Sequence, residues 1–204
     1  MTPWLALVAS YLIGSFPSAY LAGRLLKGVD LRTVGSGNLG ATNVYRELGA
    51  LPALIVLLLD AAKGWIPVAV LPTVLTVAVS EWWPLSFGML AIAGHARPIF
   101  LLGRGGGKGV ATASGVFLAL APIALAVAVS SFVIVVVATR FVSLGSIVAA
   151  LVLPPAVAVT LGTTAPVFLV SVLVALFIVI AHRANLGRLR RGTESRLGRA
   201  GGAS

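Results

Sequence analysis

Long apolar runs, several of them near the length of a bilayer crossing, alternate in this chain with three short tracts of glycine, asparagine and cations. Lipid tolerates such tracts only where the chain meets water or lines a polar cavity. The first is GSGNLGATNVYRELG at 35–49, the second GHARPIFLLGRGGGKGVATASG at 94–115, the third AHRANLGRLRRGTE at 181–194. Composition agrees with the pattern. Of the 204 residues 59% are hydrophobic and 10% charged, whereas a soluble domain carries about 25% charged residues. Too little polar surface remains to cover a water-soluble body, so the chain is expected to be an all-α integral membrane protein. Cysteine is absent, which excludes disulfides, thiolate nucleophiles and cysteine metal sites. The net charge of +10 does not point to nucleic acid, because the cations sit between apolar spans. Anionic lipid and phosphorylated molecules are the expected partners.

A crossing needs roughly 20 apolar residues. Candidate spans are 4–23, bent near Gly14 and Pro17, then 51–78, 83–102, 142–161 and 166–181. The first begins without a basic secretory leader and reads as retained. The stretch 110–138 is ambiguous, since its 29 residues would make one helix about 43 Å long. Cytoplasmic loops carry the excess of Lys and Arg, and this decides the count. With a hairpin broken at Ala121-Pro122, every cation of the chain except Lys63 falls on one face. A single crossing there would move Arg140 to the face opposite Lys108. The expectation is a compact bundle of seven transmembrane helices, N-terminus outside and C-terminus cytoplasmic. The alternative is six spans with a re-entrant loop. Residues 1–198 read as one domain and 199–204 as a disordered tail.

Each polar tract admits a structural and a functional reading. Gly35, Gly37 and Gly40 allow a turn whose amides converge on an anion, ahead of a helix carrying Asn43 and Arg46 on one face. Ser36 and Asn38 add neutral hydrogen bonds. The bland alternative is a capped loop. In the second tract Gly105, Gly106, Gly107, Lys108 and Gly109 make a cationic glycine loop opening a helix with Thr112. It is neither a Walker A nor a dinucleotide motif, so a phosphate cradle is expected and a nucleotide is not. Its rival reading is a basic juxtamembrane turn. His95 reads as a helix terminator. In the third tract His182 and Asn185 lie one turn apart and share a face, and Glu194 can anchor nearby cations. Ser143 and Ser146 open a span after Arg140. Asp60 and Lys63, at i,i+3 inside a span, are expected to pair.

Together these motifs resemble the bacterial acyl-phosphate-dependent glycerol-3-phosphate acyltransferases, the PlsY family. The resemblance rests on SGNLGATNVYRELG, DAAKG at 60–64, GHARPIF with GGGKGVATASG, SLGS at 143–146 and AHRANLGRLRRGTE, in the family's order. The triple glycine before Lys108 departs from the pair usual in the family. The resemblance implies a multi-pass enzyme of the bacterial inner membrane with its active site on the cytoplasmic face. It implies transfer of a fatty acyl group from acyl phosphate to the 1-hydroxyl of sn-glycerol 3-phosphate, giving lysophosphatidic acid and inorganic phosphate. By motif, Ser36, Arg46, Lys108, His182 and Asn185 are expected around the glycerol phosphate, joined by Ser143 or Ser146. Amides of Gly105, Gly106, Gly107 and Gly109 are expected to face a phosphate, with Asn38, Asn43 and Thr112 in the substrate-binding set. The general base is His182 or a substrate phosphate. No metal or other cofactor is expected. An enzyme that makes the acyl phosphate is implied as a partner by family analogy. The other common glycerolipid acyltransferases place Asp five residues after His, but here Phe100 and Gly187 stand at those positions. The rival from another class is a transporter or channel for a phosphorylated solute. The polar tracts on one face, rather than at mid-membrane, argue against it.

Overall fold

The computed structural model describes residues 1–78 and 80–198, and among them the regular structure is entirely helical. The tail expected to be disordered, 199–204, lies outside the described residues. Within the stretch that the sequence reads as one domain, packing is organised in two compact units, Met1–Leu120 and the part from Ala121 onward.

In the first unit, α1 (Pro3–Gly14) starts with Pro3 in its first turn and with Thr2 Oγ1 accepting the Leu5 N–H. The chain bends across residues 15–17 and continues as α2 (Ser18–Lys27). This is the bend expected from Gly14 and Pro17, and α1 and α2 together form one apolar segment of 25 residues. A polar loop follows, then the short α3 (Ala41–Leu48) and the long α4 (Ala50–Ala69). After a tight turn at Leu71–Val74 comes α5 (Trp82–Ala96), and after the glycine loop α6 (Val110–Leu120).

Two helix ends fall short of the sequence expectation. The second span was expected to reach residue 78, yet α4 ends at Ala69. The third was expected to reach 102, yet α5 ends at Ala96. A proline follows each end, Pro72 and Pro98. Proline brings no N–H and disfavours helical backbone at the residue before it, although Pro67 inside α4 is tolerated. Hydrophobicity alone does not register that stop.

Small residues let the helices of this unit approach closely. A Cβ on Gly14 would fall on the backbone of Ala91, and one on Gly94 would crowd Tyr11, so α1 and α5 touch backbone to backbone. The same holds for α4 and α6, where Gly64 lies on Thr112 and Gly115 on Ala61. Apolar side chains have little to gain by leaving lipid for one another, so such close contacts carry the association. A separate apolar cluster of Ala19, Leu31, Leu39, Val44, Ala53 and Val56 sits under the first polar tract and holds it on α4.

The second unit holds α7 (Pro122–Thr139), α8 (Val142–Leu161), α9 (Pro166–Ala181) and α10 (Arg183–Arg190). The stretch 110–138 is therefore two helices that break at Ala121, as the Ala121-Pro122 signal implied. Arg140 takes left-handed backbone (φ 63°) in the turn between α7 and α8. At His182 the chain bends by 55° between α9 and α10. After α10 it returns to the α7–α8 turn, where Leu197 N–H donates to Arg140 O at 2.7 Å and Arg196 lies 5.0 Å from the Phe141 ring centre.

Many large apolar side chains point outward, among them Leu5, Leu58, Ile134, Val137, Val159 and Leu176. Four segments are long and apolar enough to cross a membrane, five if α9 with α10 counts as one bent span. The helix α6, at 11 residues, rises only about 16 Å.

Candidate active site

The first polar tract is built around one side chain. Asn43, at the start of α3, is 1% exposed. Its Oδ1 accepts the Ser36 N–H at 2.8 Å, and its Nδ2 donates to Leu31 O and Val34 O at 3.1 and 3.2 Å. Gly35 and Gly37 have φ of 60° and 68°, values that suit glycine. The amide of Asn43 thus stands in for missing backbone partners and fixes the turn. Ser36 and Arg46 are exposed, Asn38 half-buried. Ahead of the turn, Arg32 holds Asp30 through Nε at 3.0 Å and Nη2 at 2.7 Å. Hydrogen bonds from Arg32 keep the Asp30 carboxyl down at about 2, so it is ionised throughout the physiological range.

The glycine loop lies directly against this tract. A Cβ on Gly105 would collide with the Arg32 side chain, and one on Gly107 with Leu39 O and the His95 ring. Gly105 and Gly109 are left-handed, at φ 76° and 80°. Gly107 N–H donates to His95 O at 3.2 Å, and Gly109 O accepts the first bond of α6, from Ala113 at 2.8 Å. Lys108 is half-buried between them. Thr112, one turn on, is wholly buried with no hydrogen-bond partner for its Oγ1. The first unit therefore brings two of the three tracts together, and Gly106 packs on Ala96 with no room for a side chain.

The second unit gathers the third tract on a carboxylate. Glu194 Oε1 accepts from Ser143 Oγ and from Asn185 Nδ2, both at 2.6 Å, and Oε2 accepts from Arg188 Nε at 2.7 Å. Burial would raise the Glu194 carboxyl, but these three bonds outweigh it and hold the carboxyl below its ordinary range. Ser143, Asn185 and His182 are buried. Ser146 Oγ donates to Val142 O at 2.9 Å, within its own helix. His182 Nδ1 lies 2.8 Å from Ile178 O. A carbonyl only accepts, so Nδ1 carries a proton and donates to it.

Sequence reasoning left Glu194 as an anchor for nearby cations and did not single out Arg188 as its partner. Their specific pairing depends on the chain returning after α10, which no local pattern encodes. The buried group of Ser18, Asp60, Lys63 and His95 was visible only in part, through the i,i+3 spacing of Asp60 and Lys63. Among the described residues no three His, Cys, Asp or Glu side chains come close enough to hold a metal ion.

Comparison with known proteins places these tracts in a family. The family model described as glycerol-3-phosphate acyltransferase matches residues 4–192. A protein named glycerol-3-phosphate acyltransferase in Parasynechococcus marenigrum is 46% identical over 199 residues, covering 97% of this chain and 91% of that one. One so named in Geobacter sulfurreducens is 43% identical over 188 residues, covering 92% and 93%. The crystal structure of PlsY (YgiH), an integral membrane glycerol 3-phosphate acyltransferase, in its glycerol 3-phosphate form superposes with a TM-score of 0.88 at 35% identity, covering 96% of each chain. The lysophosphatidic acid form of the same enzyme superposes at 0.83 and 33% identity, covering 96% and 95%. On sequence and on fold alike, over nearly its whole length, the chain belongs to the glycerol-3-phosphate acyltransferase family.

Proposed function

We propose that the chain is a membrane acyltransferase that moves a fatty acyl group from acyl phosphate to the 1-hydroxyl of sn-glycerol 3-phosphate. The products are lysophosphatidic acid, an intermediate of phospholipid synthesis, and inorganic phosphate, the leaving group. The observation that carries this reading is the superposition with a relative solved in both a glycerol 3-phosphate and a lysophosphatidic acid form. Those are the acceptor and the product of one acyl transfer.

The residues suit the chemistry. Both substrates are anionic, so Arg46, Lys108 and the amides of Gly105, Gly106, Gly107 and Gly109 are assigned to phosphoryl oxygens. Ser36, Asn38, Ser143, Ser146 and Asn185 are assigned to neutral hydrogen bonds with substrate, and His182 to the glycerol phosphate. Asn43 acts by holding the turn that presents Ser36, and Thr112, whose buried Oγ1 has no hydrogen-bond partner, is assigned to the substrate-binding set. Acyl phosphate is a mixed anhydride with a good leaving group. The enzyme mainly holds the hydroxyl against the carbonyl and neutralises charge as phosphate departs. The hydroxyl proton passes to His182 or to a substrate phosphate, whose second pKa is near neutrality. The acyl chain stays among the apolar helices.

The membrane arrangement belongs to the same proposal. Seven helices cross, with the N-terminus outside and the polar tracts on the cytoplasmic face of the inner membrane. An enzyme producing acyl phosphate supplies the donor.

Purified protein in detergent, given acyl phosphate and glycerol 3-phosphate, should release phosphate only when both are present. Lys108→Ala and Arg46→Ala should lower turnover at least about 10²-fold while the protein still inserts in the membrane. Wild-type rates in either variant would refute the assigned roles. His182→Ala retaining most activity would assign the proton to the substrate phosphate.

A further inference from the structure

The glycine loop rests on a buried polar cluster that the proposed reaction does not use. Asp60 and Lys63 on α4 are 2% and 7% exposed, and their charged atoms are 2.8 Å apart. Ser18 Oγ, at the first residue of α2, donates a short hydrogen bond to the same Asp60 oxygen. Lys63 Nζ donates to Phe16 O at 3.0 Å, in the bend between α1 and α2. His95 Nδ1 stands 3.9 Å from Asp60 Oδ1. The His95 carbonyl accepts the Gly107 N–H, and its ring fills the space where a Gly107 Cβ would lie. A recess of about 210 Å³, counting its open mouth, is bounded by Ser15, Ser18, Lys63, His95 and the backbone of residues 105–107. Ser15 Oγ is fully buried there without a partner.

One cluster thus joins four segments of the first unit: the α1–α2 bend, the middle of α4, the end of α5 and the loop before Lys108. Stability alone does not account for it. The desolvation of a buried ion pair roughly cancels its attraction, and apolar residues of the same volume serve as well. What a buried pair adds is a single geometry, because each charge strongly disfavours any arrangement that strands the other.

We infer that Asp60 and Lys63, acting through Ser18, Phe16 and His95, are positioning residues that hold the backbone of Gly106 and Gly107 in place. Lys108 and the loop amides are thereby presented to phosphate in one arrangement. The inference rests on the proposed function for its consequence in catalysis. The geometric part stands without it.

The test is the double variant Asp60→Asn/Lys63→Met, which leaves no uncompensated charge. Hydrogen exchange is followed at residues 105–109 in the substrate-free protein, and KM for each substrate is measured. Loop amides should exchange at least about tenfold faster, with those of α4 unchanged. KM for both anionic substrates should rise about tenfold, a change that a smaller folded fraction would not produce because it lowers only apparent kcat. Loop exchange equal to wild type overturns the positioning. Faster exchange with KM within about twofold of wild type overturns its link to substrate. If the double variant does not survive extraction, His95→Gln is judged by the same two readings. Absence of turnover in the wild-type protein would sink the proposed function, and the exchange data would still decide the positioning.

Discussion

Glu194 shows how one carboxylate can organise several side chains, two of them candidate site residues. Its side chain is 5% exposed and takes donors from α8, from α10 and from Arg188 at the end of α10. Bonds between a charged acceptor and such donors are roughly twice as strong as neutral ones. Its depressed pKa carries a definite pH signature. The stabilisation is complete above the ordinary value of 4.5 and is lost as pH falls through that value toward the lower folded one. Glu194→Gln keeps the shape but turns an amide N–H₂ toward one of the donors. It should cost about 1.5–3 kcal/mol, and melting curves in detergent should show the loss at neutral pH. Below about pH 5 the wild type should lose stability that the variant has already lost, so the two curves converge. Parallel curves through that range would show that Glu194 is not the group responsible. Ser143 and Asn185 were legible as site candidates from their motifs. That both donate to Glu194 was not, because 51 and 9 residues separate the partners.

At the level of helices, sequence periodicity and punctuation performed unevenly for identifiable reasons. The spans 142–161 and 166–181 coincide with α8 and α9, since glycine or arginine turns and Pro166 bound them on both sides. The breaks at Gly14–Pro17 and at Ala121 were carried by proline. The ends of α4 and α5 were overrun because the residues beyond them remain apolar, and Pro72 and Pro98 just past the two ends are a signal that does not always stop a helix, since α8 runs through Pro154 and Pro155. What no pattern disclosed is which helices pair. The α4–α6 contact depends on Gly64 and Gly115, two glycines among 23 in the chain. Gly115→Ala would push its methyl into Ala61 O and within 2.9 Å of the Trp65 nitrogen. Overpacking of this kind costs about 1–3 kcal/mol, and here it also tilts the helix that starts at the glycine loop. The expected result is a lower melting temperature with reduced turnover. Leu118→Ala, on the exposed side of the same helix, should leave both near wild type. Equal behaviour of the two variants would refute a tight α4–α6 contact.

For the molecule as a whole the open quantity is the number of crossings, and it turns on parity. Five of the candidate crossings are long by themselves or as bent pairs, whereas α5 and α6, of 15 and 11 residues, are short for a hydrocarbon core of about 30 Å. Charge argues that both cross, because every cation but Lys63 then lies on the cytoplasmic side, as the positive-inside bias requires. Short helices meet the bilayer by thinning it locally or by leaving their polar ends below the headgroups. In this protein that would lower the glycine loop between α5 and α6 toward the depth of an acyl carbonyl. The absence of cysteine makes the question simple to test, since any introduced thiol is the single one present. Ser80→Cys and Thr164→Cys, both at exposed positions, should react with a membrane-impermeant maleimide on intact spheroplasts. Thr33→Cys and Arg190→Cys, also exposed, should react only after permeabilisation. A six-crossing chain reverses the second half alone: position 190 would label from outside and position 164 would not, while 33 and 80 kept their behaviour. That pattern would separate Arg190 and its neighbours from the face that carries Lys108, and no catalytic role could then be shared between the second and third polar tracts.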